Sequence, residues 1–417
     1  MGSTWTKAVL VRPDGGLAGF AEHPTTAGDV LTGMDAAVRA VAAAEGSGAP
    51  APELLACSSA GGGLRLAAIG TERLTATEAA HRVALSAGAH VVHVHAGLLE
   101  PADVRALRAA RPAVVLLIGG ADGDDPSVLL HNAGRLAAVR IRYPIVLACD
   151  AAARIDAVAV LRGTGRQVMA CDNVAPRPGE IVPGPVRAAL VQLYLRHTLG
   201  GRGPATAPRF RRLVRVATSE AVAHAATELA RLCHTRVLLV DVGCATTDVH
   251  SAAPGAGTSV RTVEGDLGVR AAAAGVLIGA QEEGMVDPVE ADLLAPTVAR
   301  MTSETGYVPR DPGSAAEDRR IAALAAVVAV RRHVRAHPDA ADGVGLVVLS
   351  GGVFRQRSSS GLTTVERTLR ADSELAPALG DAPVAIDADF AVAPAGLLAA
   401  DGRTDAAAAL LRDHLLG

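Results

Sequence analysis

The segment at residues 241–251 reads DVGCATTDVHS and constrains the fold more than any other part of the chain. It follows an apolar run, V-L-L-V, that favours a short buried strand. Gly243 lets backbone N–H groups approach an anion, and the hydroxyls of Thr246 and Thr247 can donate further hydrogen bonds. Asp241, at the end of the strand, can hold Mg²⁺ directly or through water. The pattern predicts a phosphate-binding hairpin, although a glycine after a strand can also mark a plain turn.

A weaker copy of this pattern opens the chain. Five residues with phosphate-binding chemistry precede a predicted strand at residues 8–12: Gly2, Ser3, Thr4, Thr6 and Lys7. A turn with the sequence PDGG and a second strand follow, so this segment also predicts a hairpin. Taken alone, the same residues would favour a frayed amino terminus. The phosphate-binding interpretation gains weight because the pattern occurs twice.

A third strand end rich in glycine lies far downstream. Residues 345–353 predict a buried strand that ends in SGGV. Gly351 and Gly352 leave room for a flat base or a ribose to approach the backbone. Two phosphate-binding segments and a nucleoside-binding segment, in this order, predict a nucleotide cleft between two lobes.

The order of these segments resembles the ATPase superfamily of actin, sugar kinases and heat-shock proteins. More closely it resembles the glutamate mutase-associated MutL family, which is unrelated to the mismatch-repair protein of similar name. The segments that carry the resemblance are 57–64 (CSSAGGGL), 119–123 (GGADG), 131–133 (HNA), 241–251, 261–270 (RTVEGDLGVR) and 350–353 (SGGV). The resemblance implies an α/β protein with a two-lobed, actin-like (ribonuclease H-like) ATPase fold and an α/β insertion in the first lobe.

The same resemblance implies a function. Family members are expected to bind ATP with Mg²⁺, to hydrolyse it, and to act as a chaperone or reactivating factor for an adenosylcobalamin-dependent mutase such as glutamate mutase. Carried over to this sequence, the nucleotide-binding residues are Gly2, Ser3, Thr4, Thr6, Lys7, Gly243, Ala245, Thr246, Thr247, Gly351 and Gly352. Asp241 would hold the metal and organise the attacking water, and Asp266 is the second catalytic candidate. Two alternatives stay open: a small-molecule kinase of the same superfamily, and a catalytically silent nucleotide-binding partner.

Two departures from the family pattern bear on hydrolysis. The family pattern at the amino terminus is Asp-x-Gly-Ser-Thr, whereas this sequence begins Met1-Gly2-Ser3 and shows no such Asp. Either the reading frame starts upstream or the first phosphate motif is degenerate. The second departure is Cys244, where the family usually has glycine. Its Cβ disfavours positive φ, so we expect strain or crowding in the turn.

Length and charge limit the number of domains and the classes of partner that the chain can have. The 417 residues suffice for two domains of about 200 residues each, predicted at 1–205 and 206–417, with the insertion at about 75–173. A formal net charge of −3 creates no field that attracts nucleic acid. No apolar run in the sequence is long enough to span a membrane. We therefore expect a cytoplasmic protein with neither a nucleic-acid nor a membrane partner.

Local patterns predict individual elements. Residues 264–281 predict a helix, with Glu264 and Asp266 either capping its first turn or facing the cleft. A helix at 218–232 is expected to use Thr218 or Ser219 as its cap. The Gly- and Pro-rich segments 176–185 and 200–208, with a helix at 186–199 between them, predict a hinge region. His93 and His95 share a strand face, but no local carboxylate or thiol completes a metal site.

Overall fold

The computed structural model describes residues 1–26, 29–44, 52–59, 64–87, 89–139, 143–165, 167–193, 207–355 and 359–417. The chain forms two compact units. One consists of Met1–Gly62 with Leu199–Gly417, and the other of Gly63–Thr198. The second unit contains the insertion predicted at 75–173 and extends beyond it at both ends. The division of the remaining chain into two lobes at 205/206 stays a prediction.

Strands and helices alternate through most of the chain, as predicted for an α/β protein. The described strands are β1 (Trp5–Val11), β2 (Leu17–Pro24), β3 (Ala56–Ser58), β4 (Leu64–Gly70), β5 (Ala89–Ala96), β6 (Val114–Ile118), β7 (Ile145–Ala148), β8 (Val168–Cys171), β9 (Val214–Ala217), β10 (Arg236–Val242), β11 (Thr247–Ala252), β12 (Val260–Glu264), β13 (Val344–Ser350) and β14 (Val384–Ile386). The described α-helices are α1 (Val30–Ala44), α2 (Arg73–Ala87), α3 (Pro101–Ala109), α4 (Ser127–Ala138), α5 (Ala151–Arg162), α6 (Gly184–Leu193), α7 (Ala207–Leu213), α8 (Thr218–Cys233), α9 (Ala273–Glu282), α10 (Pro288–Ser303), α11 (Pro312–Ala336), α12 (Pro338–Ala341), α13 (Ser359–Arg370), α14 (Ala376–Leu379), α15 (Val392–Ala400) and α16 (Thr404–Leu411).

The main sheet of the first unit has the strand order β12-β11-β10-β13-β14. Strands β10, β11 and β12 form an antiparallel meander, and β13 and β14 run parallel to β10. Numbered along the chain, this order is 3-2-1-4-5 with the second strand antiparallel, which is the arrangement of the ribonuclease H-like fold. The predicted fold class is therefore confirmed for this sheet.

Helices cover both faces of the sheet, which explains the apolar run that precedes Asp241. Leu238 and Val240 of β10 face a core built with α9, α10, α11 and α13. The alternate residues Val237 and Leu239 face a second core built with α8, α15 and α16. A strand that is buried on both faces reads as a continuous apolar run instead of an alternating one.

The amino-terminal part of the first unit forms smaller sheets. Strands β1 and β2 pair as an antiparallel hairpin, and β3 pairs in parallel with β9. The turn of the hairpin packs closely on α16, where a Cβ on Gly15 would lie 2.5 Å from the Cβ of Ala409. Gly15 also has a φ of +93°. Both the left-handed backbone and the close approach therefore require glycine at this turn.

The second unit is a doubly wound domain. Its five strands are all parallel, in the order β5-β4-β6-β7-β8. One face packs on α2 and α6, with Leu66 and Leu116 in its core. The other face packs on α3, α4 and α5 around Leu117 and Leu147. This is the parallel sheet that the alternation of apolar strands with helices predicts.

Several local predictions were wrong. Residues 264–281 do not form one helix, because Glu264 ends β12, Asp266 lies in a turn, and α9 begins only at Ala273. Thr218 and Ser219 lie inside α8 and do not cap it, since Ala217 occupies the cap position. The predicted strand at 345–353 ends at Ser350 and is followed by a 3-10 turn at Gly352–Phe354.

Other predictions were incomplete. Strands β4, β9, β12 and β14 were not predicted. The helix predicted at 186–199 is α6, of which Gly184–Leu193 is described. Residues 194–206, which include most of the second hinge segment, lie outside the described residues, as do residues 60–63 of the family motif at 57–64. Among the helices that the structure describes, none is long and apolar enough to cross a membrane.

Candidate functional site

The turn between β10 and β11 is closed by its own glycine. The Gly243 amide donates a 2.9 Å hydrogen bond to the carbonyl oxygen of Thr246, and a Cβ on Gly243 would lie 2.9 Å from the same oxygen. Cys244 does not have positive φ, since the non-glycine residues with positive φ in the described chain are Arg111, His234 and Phe390. The backbone strain expected at Cys244 is therefore absent. The glycine that the turn requires is Gly243, because of close approach.

The amino-terminal segment forms a turn of the same geometry. The Gly2 amide donates to the carbonyl oxygen of Trp5 at 2.9 Å, and a Cβ on Gly2 would lie 2.7 Å from that oxygen. Ser3 and Thr4 lie within this turn. The backbone N–H of Thr25 donates to the Thr4 carbonyl at 2.8 Å, which fixes the turn against the end of β2. Residues of the two turns correspond when 241 is added to the number in the first turn, so Gly2 corresponds to Gly243. At the position that corresponds to Lys7, the second hairpin has Asp248.

Main-chain pairing places the first turn beside β3. The amino group of Met1 donates to the Cys57 carbonyl at 2.9 Å, and the Ser59 amide donates to the Met1 carbonyl at 2.8 Å. The second turn has the matching neighbour, because Asp241 pairs in parallel with Ser350 of β13. Each glycine turn therefore follows directly on a parallel pairing with a neighbouring strand.

Two of the predicted phosphate-binding hydroxyls are used inside the scaffold. The Thr247 hydroxyl is fully buried and donates to the Leu267 carbonyl at 2.7 Å. The Thr6 hydroxyl is buried and lies 2.9 Å from the hydroxyl of Thr25, which in turn donates to the Gly2 carbonyl at 2.9 Å. Both side chains hold a glycine turn in shape. Thr246 is only half-buried, and its hydroxyl forms a hydrogen bond with Asp248.

Three carboxyl groups gather beside the second turn. Asp241 and Asp248 are directly opposite each other in the β10–β11 pairing. Asp387 follows β14 and is fixed by three donors: the Ser350 hydroxyl at 2.9 Å and the backbone N–H groups of Ala391 and Val392 at 2.6 and 3.3 Å. One oxygen of Asp248, Oδ1, is buried without a partner in the described chain. Neither Asp248 nor Asp387 was predicted from the sequence to be a site residue.

Burial dominates the electrostatics of these carboxyl groups. Burial raises the pKa of Asp241 to about 6, against the opposing effect of the nearby Lys7 ammonium. Burial and the neighbouring Asp241 raise the pKa of Asp248 to about 7. Burial also raises the pKa of Asp387, although its hydrogen bonds oppose the shift. Such a cluster favours a bound cation, which would let all three groups ionise.

Lys7 supplies positive charge to this cluster. Its Nζ lies 4.4 Å from the centre of the Phe390 ring, which is close enough for a cation–π interaction. Burial and the nearby Arg355 lower the pKa of Lys7, whereas Asp241 raises it. Arg355 stacks on Phe20 at 4.0 Å and its Nη1 donates to Glu22 at 3.1 Å. The first hairpin is thereby joined to the loop after β13 through Arg355 and to the loop after β14 through Phe390.

Gly351 is a position that only glycine can occupy. Its φ is +134°, and a Cβ there would lie 2.3 Å from the carbonyl oxygen of Val242. Gly352, by contrast, is exposed, and a Cβ on it would meet no atom within 4 Å. Gly351 thus lets β13 approach the end of β10, whereas Gly352 borders open space; nucleoside binding by either glycine stays a prediction.

Asp266 lies in a different set of contacts. Its oxygens accept from Arg332 Nη1 at 2.9 and 3.0 Å, and the same nitrogen donates to Glu264 at 2.8 Å. Glu264 is fully buried, and burial raises its pKa to about 7 against the effect of Arg332. In the described chain no contact joins Asp266 to Asp241. Asp266 is therefore engaged with Arg332, and its catalytic role stays a prediction.

Ala245 faces the segment that precedes α9. A Cβ on Gly268 would lie 2.2 Å from the carbonyl carbon of Ala245, so these two backbones touch. The amide of Val269 donates to the Gly243 carbonyl at 3.0 Å, and those of Arg270 and Ala271 donate to the Cys244 carbonyl at 2.9 and 3.0 Å. The turn is thus backed by main chain, which keeps its geometry independent of flexible side chains.

A metal could be held here only together with a ligand. Within the described ranges, no group of three or more His, Cys, Asp or Glu side chains is arranged to bind a metal ion. Mg²⁺ that binds with a nucleotide needs only one or two carboxylates, because phosphate oxygens and waters complete its coordination. Asp241, at the end of β10, meets that requirement with its single carboxylate.

Comparisons with known proteins bear on the whole chain. The model of the family described as MutL protein matches residues 1–415. The curated protein named Protein MutL from Clostridium tetanomorphum is 32% identical over 290 residues, which cover 64% of this chain and 63% of that protein. The chain thus matches less than two thirds of the length of this relative.

Similarity to solved structures is weak. A nucleotide-free acetone carboxylase gives a TM-score of 0.39 at 12% identity, over 95% of this chain and 69% of that one. Component A of the Acidaminococcus fermentans (R)-2-hydroxyglutaryl-CoA dehydratase gives 0.29 at 11% identity, over 98% and 94%. The type IV pilus PilM–PilN complex gives 0.25 at 15% identity, over 97% of both chains. The fold assignment rests instead on the strand order of the main sheet.

Proposed function

The chain belongs to the MutL protein family, and we propose that it binds and hydrolyses ATP to act on an adenosylcobalamin-dependent mutase such as glutamate mutase. In this proposal it is a cytoplasmic chaperone or reactivating factor. The observation that carries the nucleotide part is the pair of glycine turns, closed by the same hydrogen bond at Gly2 and Gly243. Two such turns offer backbone N–H groups to one chain of phosphates from two sides.

The residues around the two turns would each have a separate role in binding and hydrolysing the nucleotide. Lys7 would offset negative charge on the phosphates, and its ammonium group interacts electrostatically with Asp241. Asp241 would hold Mg²⁺, which supplies further positive charge when bound. Asp248, with one free oxygen and a pKa of about 7, would accept a proton from an attacking water. Gly352 would leave space for the nucleoside. Such a site works by positioning and electrostatics.

Asp266 has a different role in this proposal. Its salt bridge to Arg332 holds the segment between β12 and α9, which backs the second turn. It would therefore support the site without touching the nucleotide. A variant Asp266→Asn should weaken ATP binding much less than Asp241→Asn.

The proposal is tested by measuring ADP release from ATP and Mg²⁺ under three conditions: the chain alone, the chain with a purified adenosylcobalamin-dependent mutase, and the chain with small metabolites. We expect release to rise when the mutase is added, and to stay low in Asp241→Asn with the same mutase. Release that depends on a small metabolite would identify a kinase instead. Release in none of the three, despite ATP binding, would identify a silent nucleotide-binding protein.

A further inference from the structure

The outer surface of two neighbouring helices carries large apolar side chains. Val289 and Leu293 of α10 are 70% and 71% exposed, and Ile278 of α9 is 55% exposed. Val289 and Leu293 lie one helical turn apart and therefore share a face. The core-facing sides of both helices are already occupied, for example by Val276 and Leu294. We call Ile278, Val289 and Leu293 the α9–α10 surface.

The charges next to this surface are negative and uncompensated. Glu282 and Asp292 are exposed, and neither has a cation within 4 Å in the described part of the chain. Neighbouring Glu283 and Glu290 differ, because they are paired with arginines of α11. A partner that covers the α9–α10 surface would therefore bind most tightly if its apolar side chains were flanked by Lys or Arg.

The α9–α10 surface is physically linked to the second glycine turn. The segment at 267–271 leads into α9 and is hydrogen-bonded to the turn. The backbone N–H of Val269 donates to the Gly243 carbonyl, and those of Arg270 and Ala271 donate to the Cys244 carbonyl. The Thr247 hydroxyl holds the same segment through Leu267. A second contact follows at the start of α9, where a Cβ on Gly275 would lie 2.1 Å from the Asp266 carbonyl. A shift of the turn would therefore be passed to α9 through main chain.

The same segment is fixed on its other side to α11. Arg270 is buried, and its Nη1 donates to Asp318 at 2.7 Å while its Nε donates to the Tyr307 carbonyl at 3.1 Å. Loop 267–271 is thus bonded both to the turn and to the long helix of the core. Packed elements held in this way move as units instead of deforming gradually.

We propose that the α9–α10 surface is where the partner protein docks, and that occupancy of the Gly243 turn controls how well it docks. The partner presents apolar side chains beside Lys or Arg. This inference rests on the proposed function, in which the partner is a mutase. It adds the place of contact and the route by which the nucleotide affects it.

The test uses the full chain and a purified mutase holoenzyme, with affinity measured by calorimetry with and without ATP and Mg²⁺. Leu293→Lys and Val289→Lys should each weaken mutase binding about tenfold or more, because they put positive charge at the centre of the contact. Asp292→Lys should weaken it to a smaller extent, and raising the salt concentration should weaken binding of the unmutated chain. These side chains are exposed, so the variants should bind ATP like the unmutated chain.

Ile155→Lys is the matched control, since Ile155 is 75% exposed on α5 of the other unit. It should leave mutase binding unchanged. Equal binding by the unmutated chain and Leu293→Lys would overturn the docking site while leaving the proposed function intact. If the unmutated chain binds no mutase, the proposed function fails instead. Self-association that Leu293→Lys abolishes would assign the surface to a second copy of this chain, and would also overturn the proposal.

Discussion

Asp241 and Asp248 face each other across the β10–β11 hairpin as a directly paired couple of acidic residues. Two carboxylates directly opposite each other on adjacent strands repel, which destabilises the ionised forms of both side chains, and burial adds to the effect. The two carboxyl groups lie next to the closed turn at Gly243 and near the half-buried Lys7. A nucleotide with its metal ion is a ligand that would relieve the repulsion.

The pH dependence of stability should reveal this couple. The pKa of Asp248 is about 7 in the folded chain, whereas an exposed Asp has a value near 3.8, so the folded state binds more protons between these limits. The free energy of unfolding therefore falls as pH rises from about 4 to 7. Asp248→Asn should flatten this fall and stabilise the ligand-free chain at pH 8 by on the order of 2 kcal/mol. Urea titrations at several pH values measure both effects, and an unchanged slope in the variant would contradict the assignment.

The two adjacent glycines after β13 should respond very differently to substitution. Gly351→Ala puts a Cβ 2.3 Å from the Val242 carbonyl at a φ of +134°, so it should destabilise the fold by about 3 kcal/mol. Gly352→Ala meets open space and should change stability by less than about 1 kcal/mol. Thermal unfolding compares the pair directly. A similar cost at both positions would show that the close approach to Val242 is not real.

Lys7 should matter for phosphates and not for the nucleoside. Lys7→Met removes the charge but keeps much of the side-chain volume against Phe390, so we expect about tenfold weaker binding of ATP. Adenosine is the control ligand, and its affinity should stay the same. Calorimetry with both ligands separates the two contributions. Equal losses for ATP and adenosine would place Lys7 in a purely structural role.

The sequence predicted those parts of the site that lie within one short segment. The glycine turn after β10 and the strand end at Gly351 both show apolar residues followed by glycine, and the segment at Gly2 shows glycine followed by hydroxyl residues. Cys244 was expected to strain the turn, but its φ is not positive. The reason is that the turn closes through Gly243, and a sequence pattern does not tell which of several turn residues carries the unusual geometry.

The rest of the site depends on contacts between distant segments. Asp387 reaches Ser350 across 37 residues of sequence, and Phe390 meets Lys7 only because the first hairpin packs near the end of the main sheet. No local pattern indicates such pairs. The helix predicted at 264–281 failed for a related reason, since Glu264 is held in β12 by pairing with Thr247. Tertiary pairing overrode the local preference for acids in a first helical turn.

We propose that the two glycine turns bind ATP with Mg²⁺ beside Asp241. The most direct test is calorimetric titration of ATP and Mg²⁺ into the unmutated chain, into Asp241→Ala, and into Asp266→Ala as the control that lies outside the carboxylate cluster. We predict binding to the unmutated chain, loss of binding in Asp241→Ala, and retention in Asp266→Ala. No binding by the unmutated chain, or equal binding by all three, would contradict the account.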